Sequence, residues 1–237
     1  MPFGVDLRER RLQPEVMDQP GLDPRQHAQA LRGLRRINRL SGSAVILWPS
    51  IRSLARRLAP RPLRVLDVAT GGGDVPVRLW QAARAVGLPV QIDGCDRSPM
   101  AVAFARNHAA ESQALVGFFI CDALEELPTG YDVLVSSLFL HHLDEDQAVR
   151  FLRRMADAAG RLVLINDLVR STAGYLAAYV GTRLLSASPI VREDGPRSVA
   201  AAFTLGEARA LAERAGLRGA RVVGRWPWRF LLRWRRP

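Results

Sequence analysis

The stretch RVLDVATGGGD, residues 64–74, decides the fold of this chain. Its apolar first half predicts a buried strand, and an amphipathic stretch at residues 75–86 predicts a helix directly after the glycines. A strand, a tight turn and a helix in this order form one end of a βαβ unit. Because Gly has no Cβ and tolerates positive φ, such a turn lets a ligand approach the bare backbone. The stretch therefore indicates a site for a small, nucleotide-like molecule.

The alternation of strands and helices continues along the chain. Further strands are predicted at residues 90–95, 115–121, 131–137, 161–165, 222–223 and 230–232. The helices between them include one that Asp144 and Gln147 open with a capping box, and Thr204 with Glu207 opens another. Strands that are apolar on both faces predict a parallel sheet covered on both sides. We expect an α/β fold, with a doubly wound, mostly parallel seven-stranded sheet.

Helical segments outside this alternation predict a cap over the sheet. Asp23-Pro24 opens a helix with Leu31, Leu34, Ile37 and Leu40 on one face, and a second helical piece at residues 44–58 is interrupted near Trp48-Pro49. Residues 169–186 form a long apolar helix, and residues 189–198 a loop. We expect an N-terminal helical lid at residues 1–60 and a core at 61–237 with a helical insertion at about 168–203.

The composition narrows the class of protein. The 237-residue chain carries a net charge of +11, yet its basic residues are all Arg, are scattered, and accompany no nucleic-acid motif. We expect no specific nucleic-acid partner and at most weak attraction to anionic surfaces. No apolar run reaches the roughly 18 residues of a membrane span, and residues 1–11 contain no apolar signal region. A cytoplasmic protein is expected, with Cys95 and Cys121 as unpaired thiols.

The candidate ligand site lies where the predicted strands end. Ligands of open α/β sheets bind at the carboxyl ends of the strands, near the point where the strand order reverses. Asp67 and the glycine turn, Asp96, Asp122 and residues 136–138 all fall there. An acidic residue after the second strand accepts hydrogen bonds from ribose hydroxyls, so Asp96 indicates a nucleoside.

The turn does not match phosphate-binding loops. A P-loop requires a Lys, which this chain lacks. A dinucleotide fingerprint beginning at Gly71 requires Gly or Ala where Pro76 stands, and Asp74 at the helix N-terminus would repel a phosphate. A nucleoside without phosphates that carries an amine or a sulfonium fits better.

Together these motifs resemble class I S-adenosylmethionine-dependent methyltransferases. The matching stretches, in chain order, are residues 67–73, 96–100, 121–123, 131–143 and 161–165. The first four stretches are sequence motifs and the fifth is the fifth strand. Four motifs in the right order are far more specific than any one alone, and the resemblance covers residues 61–167, with a looser match to about 224. Ala69 departs from the family, which usually has Gly there.

The resemblance implies S-adenosyl-L-methionine as the cofactor and assigns roles in binding it. Asp67 would hold the turn or the methionyl amine, Asp96 the ribose, and Asp122 with the Ala123 amide the adenine. The full set of candidate cofactor-binding residues is Asp67, Ala69, Thr70, Gly71, Gly73, Asp96, Arg97, Asp122, Ala123, Ser137 and Leu138.

The chemistry that the resemblance implies needs few catalytic groups. Methyl transfer from a sulfonium is an in-line displacement, so the protein mainly positions donor and acceptor. A general base helps when the acceptor must lose a proton, and the candidates are His141, His142 and Asp167. A metal-dependent site would need several clustered acids, so no metal is expected.

The acceptor would be a small molecule held by residues 24–60 and 168–203. Trp48, Tyr175, Tyr179 and Phe203 in or near these segments favour an aromatic or lipid-like acceptor, although core packing explains each residue equally well. The chain resembles methyltransferases of quinone biosynthesis and polyketide tailoring, which implies methylation of oxygen or carbon.

Three alternatives remain at this point. The chain could be a nicotinamide-dependent oxidoreductase, or a methyltransferase fold that has lost catalysis and serves as a binding protein. The basic, aromatic residues 226–236 could contact a membrane surface, although a last strand with a frayed end explains them better.

Overall fold

The computed structural model describes residues 6–16, 23, 25–26, 29–33, 37 and 42–237. Its strands are β1 (Leu63–Val68), β2 (Val90–Asp96), β3 (Val116–Ile120), β4 (Tyr131–Ser137), β5 (Ala159–Leu168), β6 (Arg221–Arg225) and β7 (Arg229–Arg235). Its helices are α1 (Ser43–Leu58), α2 (Asp74–Ala85), α3 (Pro99–Glu111), α4 (Glu145–Ala158), α5 (Thr172–Leu185), α6 (Pro189–Ala201) and α7 (Leu205–Arg214). A 3₁₀ turn, Leu140–His142, follows β4.

The seven strands form one sheet in the order β3-β2-β1-β4-β5-β7-β6. Strands β1 to β5 pair in parallel, and β7 is antiparallel to both β5 and β6. The strand order reverses between β1 and β4, which opens a crevice at their carboxyl ends. The predicted doubly wound, mostly parallel seven-stranded sheet is confirmed. The predicted closing pair is also confirmed, since β6 and β7 form a hairpin and residues 229–235 are a strand.

Helices cover both faces of the sheet because alternate strand residues point to opposite sides. On one face, Leu47 and Ile51 of α1 pack with Val65 of β1 in an apolar cluster. On the other, Phe151 of α4 packs with Leu66 in a second cluster that also contains residues of α7. Burying one such side chain contributes roughly 1.5–3 kcal/mol. The sheet therefore holds a core on each side and leaves its carboxyl edge for a site.

The predicted helix caps are present. The Asp144 side chain accepts from the Gln147 amide at 2.7 Å, and Gln147 Oε1 accepts from the Asp144 amide at 3.0 Å, which completes the capping box of α4. Thr204 and Glu207 make the same reciprocal pair at α7. Each box satisfies backbone N–H groups that the helix itself leaves unpaired.

Two local predictions were wrong. Helix α1 runs through Pro49 without a break, because Pro49 is exposed while Leu47 and Ile51 are buried on the sheet. Their burial outweighs the roughly 3 kcal/mol that a proline costs inside a helix. Residues 189–198 are not a loop but most of α6, which packs against α5 where Gly195 lies over Thr182. The packing of α6 on α5 outweighs the low helix propensity of Gly195 and Pro196.

The predicted lid is only partly within the described residues. Residues 25–26, 29–33 and 37 are helical, and the Asp23 side chain caps them by accepting from the Arg25 amide at 2.9 Å. Leu34 and Leu40 lie outside the described residues. Among the described residues, the part of the chain that covers the sheet begins with helix α1 at Ser43. The lid at residues 1–60 and the boundary at residue 60 stay predictions. Within the described ranges, no helix combines the length and the apolarity that crossing a membrane requires.

Ala69 occupies a backbone conformation that favours glycine, with φ at 57°. A Cβ in this left-handed region costs about 1–2 kcal/mol, part of which glycine's greater unfolded-state freedom offsets. We expect Ala69→Gly to raise the free energy of unfolding by about 0.5–1 kcal/mol in denaturant titration. Ala110→Gly, on the exposed face of α3, is the control and should lose about 1 kcal/mol. If Ala69→Gly lowered the free energy of unfolding, that result would contradict backbone strain at Ala69.

Candidate active site

The glycine turn after β1 is tied to the ends of two strands. The Thr70 hydroxyl donates to Asp67 Oδ2 at 2.6 Å, and the Gly71 amide donates to Asp96 Oδ2 at 2.9 Å. The Thr70 amide also donates to the Cys95 carbonyl at 2.9 Å. Gly71 has a φ of 53°, and a Cβ added there would meet open space. The turn thus presents bare backbone to a ligand while its ends stay fixed.

One carboxylate oxygen of Asp67 is buried without a hydrogen bond to any described residue. Its side chain is 2% exposed, and Oδ1 has no hydrogen-bond partner among the described residues. Burial raises the pKa of Asp67 to about 8, although the Thr70 hydrogen bond opposes the shift and the charges of Asp74 and Asp96 reinforce it. A cationic donor at Oδ1 would restore the carboxylate. This end of the site therefore fits a ligand that carries an ammonium group.

The remaining cofactor candidates lie further along the same edge. Asp96 ends β2 half-buried and also accepts from the Ser98 amide at 2.9 Å. Asp122 follows β3, is exposed, and accepts from the Leu124 amide at 2.9 Å. Both carboxylates keep acceptor capacity beyond these bonds. Arg97 is exposed and Ala123 is buried.

The end of β4 is locked to β5. The Asn166 side chain donates to the Ser137 hydroxyl at 2.8 Å, and the Leu138 amide donates to the Asn166 carbonyl at 2.9 Å. Leu138 has a positive φ of 60°, a conformation that is uncommon for residues other than Gly and that clusters at functional sites. This turn directs the chain from the sheet into the 3₁₀ turn that carries the two histidines.

His141 and Asp167 form a buried ion pair. His141 Nδ1 lies 2.6 Å from Asp167 Oδ1, and the two side chains are 4% and 1% exposed. Burial alone would lower the pKa of His141, but the charge and hydrogen bond of Asp167, with help from Glu15, raise it to about 10. Burial would likewise raise the pKa of Asp167, but the His141 charge lowers it. At neutral pH the imidazole is therefore protonated.

Glu15 approaches the opposite nitrogen of the same imidazole. Its Oε1 lies 3.6 Å from His141 Nε2 and 3.9 Å from His142 Nε2, and it accepts a hydrogen bond from the Ser198 hydroxyl. Burial would raise the pKa of Glu15, but the bond with His141 and the charges of both histidines lower it. His141 is thus held between two carboxylates.

An N-terminal segment, residues 6–16, delivers Glu15 to this position; we term it the N-terminal strap. The Arg10 guanidinium donates to the carbonyls of His141 and Leu143 at 2.8 and 2.6 Å. The Arg11 amide donates to the Ala200 carbonyl at 3.0 Å, and the Val16 amide to Asp194 Oδ1 at 2.8 Å. These bonds fasten the strap across α6 and the 3₁₀ turn.

Glu15, His141 and His142 also have the composition of a metal site. One oxygen and two ring nitrogens lie within 4.8 Å of one another, and two His with one carboxylate is a ligand set that zinc uses. However, His141 already carries a proton between Asp167 and Glu15, and a metal would have to displace it. The sequence predicts no metal, and that remains a prediction.

One cavity of about 420 Å³ joins these groups. Its wall includes Asp67, Ala69, Thr70 and Gly71 at one end and Glu15, His141 and His142 at the other, with Ser137 and Leu138 between them. Small and apolar residues of α5 and α6 form the opposite wall. Gly73, Asp96, Arg97, Asp122, Ala123 and Asp167 do not line the cavity. The methionyl half of the predicted cofactor site and the two histidines therefore share one space.

Sequence reasoning missed three residues of the site. Glu15 lies in a polar, irregular stretch that contains no motif, and Ser198 lies in the segment predicted to be a loop. Arg229 begins β7, is 3% exposed, lines the cavity and donates to the Ser43 hydroxyl at 2.6 Å. Burial lowers the pKa of Arg229 to about 10. The one signal for Arg229 in the sequence was an arginine directly before the apolar residues 230–232.

The central part of the chain is similar to known methyltransferases. Residues 65–160 match the family described as "Methyltransferase domain". Demethylmenaquinone methyltransferase from Deinococcus radiodurans is 36% identical over 115 residues, which cover 47% of this chain and 46% of that protein. The Thermus thermophilus enzyme of the same name is 35% identical over 133 residues, or 54% of this chain and 58% of that protein. The matches span about half the length of these relatives.

A solved structure extends the similarity in fold to nearly the whole chain. The O-methyltransferase NcsB1 from neocarzinostatin biosynthesis, solved with S-adenosylmethionine and 2-hydroxy-5-methyl naphthoic acid, has a TM-score of 0.66 and 20% identity. The alignment covers 93% of this chain and 60% of that one. At this identity the likeness concerns the fold. The family resemblance drawn from the motifs is confirmed.

The protonation of His141 can be measured directly. Its raised pKa means that the stabilisation by the ion pair is complete below about pH 6.5 and is lost as the pH rises through about 10. We expect ¹H–¹⁵N spectra of the imidazole to show His141 still protonated at neutral pH. Asp167→Asn should lower its pKa by roughly 2 units and Glu15→Gln by less, because Asp167 is the closer charge. Asp157→Asn, at an exposed position near the end of α4, is the remote control, and a His141 that titrates near its ordinary value would contradict the pair.

Proposed function

We propose that this chain, whose residues 65–160 match the methyltransferase-domain family, is an S-adenosylmethionine-dependent methyltransferase that moves a methyl group to an oxygen or carbon of an aromatic, quinol-like or polyketide-like small molecule. The observation that carries the proposal is the shared cavity. The glycine turn lies at one end of it and the histidines lie at the other, so a methyl donor and an acceptor would meet between them.

The residues present fit S-adenosylmethionine. The orphaned Asp67 Oδ1 can accept from the methionyl amine, which would also offset the cost of burying this carboxylate. Asp96 would accept from the ribose hydroxyls, and Asp122 with the Ala123 amide would hold the adenine. Asp74, buried at the N-terminus of α2, disfavours a phosphate there. When bound, the cofactor supplies a methyl group already activated on a sulfonium.

The acceptor would occupy the part of the cavity beneath α5 and α6. The wall there is apolar and small, with Ala177, Gly181, Leu185 and Val199, which leaves room for a flat, apolar molecule. The relatives are named for demethylmenaquinone, and the similar structure holds 2-hydroxy-5-methyl naphthoic acid; both molecules agree with this shape. Helices α5 and α6 and the N-terminal strap would form the cap over the acceptor.

His141 would handle the acceptor's proton. In its neutral form, Nε2 can accept the proton of a phenolic or enolic hydroxyl, while Asp167 holds Nδ1–H and fixes the ring. Asp167 and Glu15 then stabilise the imidazolium. If the acceptor is already ionised when it binds, the His141 imidazolium would instead donate a hydrogen bond to it. His142, whose ring centroid lies 4.3 Å from that of His141, would position the acceptor beside it.

The two alternative functions find less support. A nicotinamide dinucleotide would have to place its pyrophosphate against Asp74, and the reported similarities are to methyltransferases. A silent binding protein would not need a buried imidazole between two carboxylates beside the donor site. The free thiols Cys95 and Cys121 fit the reducing cytoplasm that we propose as the location.

Two matched variants test the donor site and the activity together. Asp96→Ala removes the ribose acceptor and should weaken S-adenosylhomocysteine binding in calorimetry by about 10- to 100-fold. Asp144→Ala is the matched control. It removes the N-cap of α4, which is not one of the candidate cofactor-binding residues, and should leave the affinity unchanged. Methyl transfer to naphthols, hydroquinones and hydroxylated polyketides should follow the same order.

The wild-type rate should also rise with pH, because neutral His141 becomes more abundant.

Equal affinities of Asp96→Ala and Asp144→Ala for S-adenosylhomocysteine would refute the ribose assignment. Cofactor binding without transfer to any acceptor of the panel would favour the binding protein.

A further inference from the structure

Helix α5 presents apolar residues on two sides. One side lines the cavity through Gly174, Ala177, Ala178, Gly181, Thr182 and Leu185. The other side carries Leu176, Val180 and Leu184, whose exposed fractions are 36%, 53% and 78%. These three residues are four positions apart, so they form one stripe along the helix. The wall of the acceptor space is thus also an exposed apolar surface.

The sequence of α5 is unusual for a helix at a protein surface. Its 14 residues include a single charged side chain, Arg183. A surface helix of a globular protein normally places charged and polar residues on its outer face, whereas a helix that is apolar all round is covered by other material. The exposed stripe on α5 therefore marks a contact surface.

The hairpin turn between β6 and β7 continues this apolar surface. Trp226 is 82% exposed and Trp228 is 42% exposed, and both also line the cavity. Trp228 packs against the beginning of α5, since a Cβ added to Gly174 would lie 3.2 Å from the Trp228 Cβ. We term the five residues Leu176, Val180, Leu184, Trp226 and Trp228 the mouth patch, because they flank the cavity.

Positive charge accompanies the mouth patch. Arg183 is exposed on α5, with its guanidinium 3.4 Å from the centre of the Tyr179 ring, and Arg225 is exposed beside Trp226. The whole chain carries a net charge of +11. Exposed Trp and aliphatic residues flanked by Arg have the composition of surfaces that lie in the interface of an anionic bilayer.

We propose that the mouth patch docks this protein on an anionic lipid surface, with the cavity opening toward the acyl chains. A lipid-like acceptor would then reach His141 without passing through water. That last step rests on the proposed function, whereas the docking rests on the patch and its charge alone. Vesicle binding therefore tests the docking without any measurement of methyl transfer.

A pair of double variants provides a matched test. Val180→Gln with Leu184→Gln makes two of the three stripe residues polar and substitutes no residue that lines the cavity. Ile120→Gln with Leu115→Gln is the control: these residues are 59% and 81% exposed, at β3 on the opposite edge of the sheet. Both pairs replace a β-branched residue and a leucine of similar exposure.

Co-sedimentation with vesicles of phosphatidylcholine and phosphatidylglycerol is the measurement. We expect the wild type to bind them, to bind phosphatidylcholine alone less, and to lose affinity with salt. The α5 double variant should bind on the order of tenfold more weakly, and the β3 double variant should bind like the wild type. Thermal melting of each variant verifies that it is folded.

Three results would overturn the proposal. The first is a wild type that does not sediment with anionic vesicles. The second is an equal loss of binding in both double variants, because the patch would then have no special role. The third is self-association of the wild type in analytical ultracentrifugation that the α5 double variant abolishes, which would assign the patch to a second copy of the chain.

Discussion

The site depends on the reversal of strand order between β1 and β4. Because β4 lies next to β1 on one side and β5 on the other, Val68 pairs with Ser136, and Ser137 pairs with Asn166. The carboxyl ends of three strands therefore lie side by side at one edge. The glycine turn leaves from the first, the histidines follow the second and Asp167 ends the third. A cavity at this edge can reach a donor and an acceptor at once, and every role proposed here requires that proximity.

Two buried aspartates on this edge show how the environment sets their chemistry. Asp67 has a hydroxyl as its nearest donor, so burial dominates and its pKa rises to about 8. Asp167 faces a protonated imidazole, and that charge lowers its pKa despite the burial. One carboxyl thus lacks a cation that a ligand can bring, while the other already has one. This difference supports the binding role proposed for Asp67 and the positioning role proposed for Asp167.

Most of the fold could be predicted from local patterns in the sequence. The apolar strands, the capping boxes and the glycine turn each depend on neighbouring residues, and the structure contains all of them. The failures involve tertiary contacts between elements. Helix α6 forms despite Gly195 and Pro196 because it packs on α5, and Glu15 reaches His141 because Arg10 fastens the strap to the 3₁₀ turn. Such packing leaves no local pattern, so the histidines could be predicted but their second carboxylate could not.

The position of the bound cofactor product tests the central claim most directly. In a crystal soaked with S-adenosylhomocysteine, we expect the amine beside Asp67, the ribose beside Asp96, and the sulfur facing His141 across the cavity. That arrangement would join the donor and acceptor halves of the site. Density for the ligand away from the carboxyl edge of β1, or with its sulfur turned away from the histidines, would contradict it.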